Sequence, residues 1–144
     1  MPILARRHIK KMRGGAQSHL LEGDDGCFYV VKFLNNPQHR RILVNEWISS
    51  VFLKYLGIAT PEVAMVEVSA DFLRENPEVY LQLGTGRLAF ETGWHFGSRF
   101  PGNPARSVVY DFLPDIILEK VENLIDFPGA LAAGRGELSF SSII

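Results

Sequence analysis

Lys32 closes a strand-like run, Phe28-Tyr29-Val30-Val31-Lys32, and Glu46 follows within a helix-like run, Asn45-Glu46-Trp47-Ile48. A lysine ammonium is a compact point charge that suits phosphate, and an acid beside it would neutralise and orient it. Upstream, Gly14-Gly15-Ala16-Gln17-Ser18 supplies a flexible loop able to lie over phosphates. Each element also has a plainer reading. Lys32 could be an edge-strand lysine kept for solubility, Glu46 could pair with Arg40, Arg41 or Lys54, and Gly14-Gly15 could be a simple hairpin turn. The three together, in this order, carry more than any one alone.

These residues need elements to hold them. Residues 5–34 read as three strands: Arg6 to Met12 ending at Gly14-Gly15, Ser18 to Glu22 ending at the turn Gly23-Asp24-Asp25-Gly26, and the run that ends on Lys32. The two-residue period of a strand puts Phe28, Val30 and Lys32 on one face and Tyr29, Val31 and Phe33 on the other. Asn36 as N-cap and Pro37 as first helical residue predict a helix from 37 to 56, stopped by Gly57. Its apolar residues, among them Val44, Trp47, Ile48, Val51, Phe52 and Tyr55, wrap most of the circumference, which predicts burial on more than one side. Glu46 shares a stripe with Ile42, Ser49, Ser50 and Leu53, where a partly buried acid wants a cation.

Farther on, Val63 to Val68 reads as a strand and Ser69 to Pro77 as one or two helical turns. Arg87 to Phe90 and Trp94 to Phe96 read as short strands, and Gly97 to Ser107 as a connector. Val108 to Phe112 reads as a strand or turn, and Pro114 to Ile125 as a helix.

The bulk composition narrows the classes. With 144 residues, the chain can form one domain, or one lobe and part of a second. At 47% hydrophobic and 22% charged it is globular, not disordered. A net charge of -1 argues against whole-protein attraction to nucleic acid or membrane. Arg6, Arg7, Lys10, Lys11 and Arg13 do form a basic run, but one without an aromatic platform for stacking bases, and it reads as a solvated strand face. The four histidines and the single cysteine, Cys27, lack metal-ligand spacing, and Ser18 lacks a nucleophile-elbow context. No apolar stretch is long enough to span a bilayer, and the expected location is cytoplasmic.

The order of strand, glycine loop, strand, hairpin turn, lysine strand and glutamate helix resembles a protein-kinase-like N-lobe. Gly15-Ala16-Gln17, then Asn45-Glu46-Trp47, then Leu56-Gly57-Ile58-Ala59-Thr60-Pro61 narrow the resemblance to the HipA-like serine/threonine kinases, closest to their small single-domain branch, over about residues 9–130. The resemblance implies an α+β fold: a twisted antiparallel sheet with one main helix, followed by the start of a truncated helical C-lobe. It implies ATP as the bound nucleotide, with Mg needed by intact relatives. Gly14, Gly15, Ala16, Gln17 and Ser18 would form the phosphate-side loop, Lys32 would contact the phosphates and Glu46 would pair with it. The strand holding His95 and Phe96 would meet adenine.

The chain also departs from the pattern. Beyond Pro128 no Asp-x-x-x-x-Asn loop and no Asp-Phe-Gly element follows, whereas kinase chemistry takes its base and metal ligands from such motifs. Asp111-Phe112-Leu113 and Asp126-Phe127-Pro128-Gly129 resemble a metal-binding motif in letters only. The expected organisation is therefore an N-lobe over residues 5–100, a connector and C-lobe start over 101–131, and a tail outside the family pattern over 132–144. The expected function is nucleotide binding without phosphoryl transfer. The alternatives are a noncatalytic module binding a protein at the lobe's exposed face, and nucleic-acid binding through the basic strand.

Overall fold

A computed structural model describes residues 1–107. The expected strand at 108–112, the helix at 114–125, the tail from 132 and both Asp-Phe decoys lie outside the described residues. The element order is β1 (Ile3–Lys11), β2 (His19–Gly23), β3 (Phe28–Lys32), α1 (Arg41–Tyr55), β4 (Val63–Val68), α2 (Ala70–Glu75), β5 (Tyr80–Leu83), β6 (Gly86–Ala89) and β7 (Gly93–Arg99). The fold is α+β and sheet-dominated, with one main helix.

Five strands run in the order β1-β2-β3-β7-β4 and close into a barrel, while β5 and β6 form a separate two-stranded sheet. Closure corrects the expectation of a purely antiparallel sheet: β1 pairs in parallel with β4 through Ile3↔Val66 and Leu4↔Glu67. The physical reason is length. β1 is nine residues long and β2 only five, so the N-terminal end of β1 outruns its hairpin partner and is free to meet β4. Two register shifts along β1, between Ala5 and Arg7 and between His8 and Lys10, bend it as closure requires. Closure also removes the exposed sheet edge.

The period-two reading of β3 holds. Tyr29, Val31 and Phe33 join Leu21, Val66, Val68, Phe72, Val79, Leu81 and Phe90 in the core. Val30 and Lys32, on the opposite face, are buried as well. At the β2–β3 turn, Asp25 accepts hydrogen bonds from the Cys27 N–H (3.0 Å) and the Tyr29 hydroxyl (2.6 Å), which closes the hairpin. Burial first, and Asp25 second, push the Tyr29 phenol pKa upward.

The helix begins later than its sequence suggests. Asn36 spends its side chain locally, accepting from Gln38 N–H at 2.9 Å and donating to the Phe33 carbonyl at 2.7 Å, and His39 adopts a left-handed φ of 77°. Helix α1 therefore starts at Arg41, behind an Arg40 that makes no side-chain cap. Its end is as expected: Gly57 takes φ 71°, its N–H meets the Lys54 carbonyl and the Ile58 N–H meets that of Leu53, the paired bonds of a Schellman motif. The second correction concerns burial. Only Leu43 of α1 is buried, while Val44, Ile48, Val51, Phe52 and Tyr55 are exposed. Helix α2 has the cap its sequence offers, with Ser69 accepting from the Phe72 N–H at 3.1 Å. Strand β5 was not anticipated. No helix among the described residues is long and apolar enough to cross a membrane.

Candidate functional site

Lys32 ends β3, which lies between β2 and β7 and is an interior strand of the barrel. Alternation along the strand turns its side chain to the face that carries Val30, away from the Tyr29–Val31–Phe33 core. There the Lys32 Nζ donates to Glu46 Oε1 at 2.6 Å, with side-chain exposures of 5% and 22%. The solubility reading of Lys32 therefore does not fit its place. Arg40, a possible rival partner of Glu46, instead reaches Glu91 at 3.5 Å. An ammonium carries three N–H donors and Glu46 takes one, so the group can still bind oxygens of an anion.

The glycine loop arrives at the same level. With His19 opposite Val31 in the β2–β3 register, the preceding residue, Ser18, comes up level with Lys32. The loop is closed at its base by a 2.8 Å bond from the Met12 N–H to the Ser18 carbonyl and tightened by one from the Gln17 N–H to the Gly14 carbonyl at 3.2 Å. Gly14 has φ 123°, which a residue with a side chain rarely adopts. A side chain on Gly15 would press on the amide of Gln38, so the loop also passes close to the segment leading into α1. Gly14 and Gly15 are exposed, Ala16 and Gln17 half-buried, and Ser18 buried.

His95 and Phe96 sit on β7, and Phe96 pairs with Lys32 across the ladder. Neither side chain faces open solvent. The His95 Nδ1 accepts from the Leu34 N–H at 3.2 Å and its Nε2 donates to the Glu91 carbonyl at 3.0 Å, which fixes a neutral tautomer. Burial lowers its pKa to about 4. Phe96 meets Trp47 of α1 edge to face, with ring centroids 6.1 Å apart. The loop, Lys32 and Glu46 thus come together around one end of β3, and His95 and Phe96 support that end from β7.

The family model described as HipA-like kinase matches residues 6–124. The chain belongs to the HipA-like kinase family. No curated protein and no solved structure matches it. In a HipA-like kinase a catalytic-loop spacing needs scrutiny, and one occurs here, Asp71-Phe72-Leu73-Arg74-Glu75-Asn76. Both ends serve α2 instead. Asp71 pairs with Arg74 at 2.8 Å, and the Asn76 side chain donates to the Phe72 carbonyl at 2.8 Å. Among the described residues no group of three or more His, Cys, Asp or Glu is placed to hold a metal.

Sequence reasoning missed a second polar cluster. Glu78 accepts from His8 Nδ1 at 2.9 Å, and His8 Nε2 shares a 3.0 Å hydrogen bond with His19 Nδ1. The His19 Nε2 is buried without a hydrogen-bond partner among the described residues, and the ring meets Phe33 and Phe90 edge to face. Burial lowers the His19 pKa to about 4, with His8 and Lys11 adding to the effect. The strand period of β1 and β2 does not reveal this cluster, because the register shifts in β1 decide which histidines meet.

Proposed function

We propose that residues 1–107 are the nucleotide-binding lobe of a protein kinase, in which Lys32 holds the phosphates of ATP and Glu46 neutralises and orients Lys32. The observation that carries this reading is the 2.6 Å contact between a nearly buried lysine on an interior strand and a glutamate on the main helix. A desolvated lysine is costly unless it is paired, and here it keeps donors for a second anion. The adjoining glycine loop offers main-chain N–H groups, which suit phosphate oxygens. The barrel order, with β7 between β3 and β4, supports a kinase-like N-lobe by bringing the adenine-side strand next to the lysine strand. His95 and Phe96 act there by fixing that strand and not through free side-chain atoms.

Phosphoryl transfer to a serine or threonine hydroxyl also needs a base and metal ligands. Mg, when bound with ATP, would supply positive charge that neutralises the phosphates. The work proposed for this lobe is to bind and orient the nucleotide, and we propose no measurable transfer by the chain alone. Titration of ATP into the purified protein, with and without Mg, tests the reading: saturable binding without autophosphorylation is expected. Absence of saturable binding at millimolar ATP would overturn it, and robust Mg-dependent autophosphorylation would overturn the proposed inactivity.

A second reading, a module that binds a protein through α1, is favoured by the exposed Val44, Ile48, Val51, Phe52 and Tyr55. It predicts no effect of ATP, and the same titration separates the two.

A further inference from the structure

Gln17 has the only left-handed non-glycine conformation in the described part of the loop, φ 49°. Such a φ is uncommon outside glycine and persists where the surroundings hold it. The surroundings here are two matched hydrogen bonds. Gln17 Nε2 donates to the Gln82 carbonyl at 2.8 Å, and the Gln82 N–H donates back to Gln17 Oε1 at 2.8 Å. Lys11 Nζ adds a 3.1 Å bond to the same Oε1. In an antiparallel ladder both main-chain groups of one residue point to the same side. Gln82, opposite Arg87 of β6, turns both away from its partner strand, and the Gln17 amide takes both as a neighbouring strand would.

A second amide holds the other side of the same hairpin. Asn35, three residues beyond Lys32, donates to the Ala89 carbonyl and accepts from the Glu91 N–H, each at 3.3 Å. Phe90, which lies between the two residues that Asn35 holds, stacks on Phe33 with ring centroids 3.7 Å apart. The β5–β6 hairpin is therefore fastened at one side to the glycine loop and at the other to the chain leaving the lysine strand.

We infer that Gln17 is a positioning residue that latches the glycine loop to the main chain of β5, so that the β5–β6 hairpin sets the loop's place beside Lys32; this rests on the nucleotide-binding reading above. Its amide is committed to this contact: Oε1 accepts from both the Gln82 N–H and Lys11, and Nε2 gives one of its two N–H groups to the Gln82 carbonyl. Its contribution is preorganisation: the loop is already ordered when ATP arrives, and binding does not pay for ordering it.

The test uses the full chain and two variants. Gln17→Met keeps the length of the side chain and removes both bonds to Gln82 and the one from Lys11. Gln17→Asn keeps the amide and tolerates the left-handed φ, but is one methylene too short to span to Gln82, and it serves if the methionine variant fails to fold. Hydrogen exchange of residues 12–18 without nucleotide and the ATP dissociation constant are measured for each folded protein. Loss of the two bonds to Gln82 and the one from Lys11 predicts loop exchange about tenfold faster or more, ATP affinity weaker by about the same factor, and exchange in β3 unchanged. Unchanged loop exchange would overturn the latch, and faster exchange with unchanged ATP affinity would overturn its role in positioning. A parent protein that binds no ATP would instead overturn the proposed function, leaving the exchange measurement to decide the latch alone.

Discussion

Strand β3 and helix α1 hold the two halves of one ion pair in opposite surroundings. From Tyr29 to Lys32 every residue of the lysine strand is buried, as is Phe33 just after it, and both of its neighbours are strands of a closed barrel. Helix α1 buries only Leu43 and leaves most of its apolar side chains open. It meets the sheet through the Lys32–Glu46 bond and the Trp47–Phe96 contact. Lys32 is thus positioned by the barrel, whereas the position of Glu46 depends on how α1 docks. A lobe built this way can keep Lys32 fixed while its glutamate partner moves with the helix.

The contrast can be broken most strongly at Phe33, whose ring packs on Phe90, His19 and His95. Phe33→Ala should destabilise the fold by ~3–5 kcal/mol in urea denaturation, as for other buried aromatic truncations. A loss near that of a surface substitution would mean that the barrel is not the rigid half.

Acid should act on the same half. His19 and His95 have folded pKa values lowered to about 4 from 6.5 by burial. The unfolded chain binds protons first, so their stabilisation is full above pH 6.5 and is lost as the pH falls toward 4. At about 1.4 kcal/mol per pKa unit, the two together should cost several kcal/mol across that window, with His8, Lys11 and Glu78 facing His19 and Glu91 facing His95. Equal urea midpoints at the two ends of this pH window would contradict the neutral, buried assignment. Helix α1 carries no histidine and contributes nothing directly to this loss.

Glu46→Gln tests the junction. It removes the charge partner of a nearly buried ammonium but leaves an amide oxygen that can accept one hydrogen bond, so a stability loss of ~1–3 kcal/mol is expected. A neutral result would show that solvent already screens Lys32. Phe52→Ala, on the open face of α1, should change stability by no more than ~0.5 kcal/mol. A larger loss would show that the face is covered in solution.

The legible parts of the sequence were those that local rules decide. Period-two burial along β3, the turn at Gly23 to Gly26 and the Gly57 stop depend on a few neighbouring residues, as does the pairing of Lys32 with Glu46 once strand face and helix stripe are known. The barrel was not legible, because its closing pair, Ile3↔Val66 and Leu4↔Glu67, joins residues far apart in the chain. The helix start was misjudged because Asn36 turns its side chain to Phe33 and Gln38 instead of capping. The burial of α1 was overestimated because apolar residues around a helix report what it could bury, not what lies beside it. Gln17 was legible as part of a loop, but its bond to Gln82 again spans distant residues.

The most direct test of the central claim, that Lys32 is a phosphate anchor oriented by Glu46, is ATP titration into the parent protein and Lys32→Met at fixed salt and magnesium. Methionine keeps much of the apolar stem and removes the charge, and Glu46 is exposed enough to find water, so the fold should survive. Loss of a charge-assisted hydrogen bond predicts affinity weaker by ~1.5–3 kcal/mol. Equal affinities in two folded proteins would contradict it and return Lys32 and Glu46 to a purely structural ion pair.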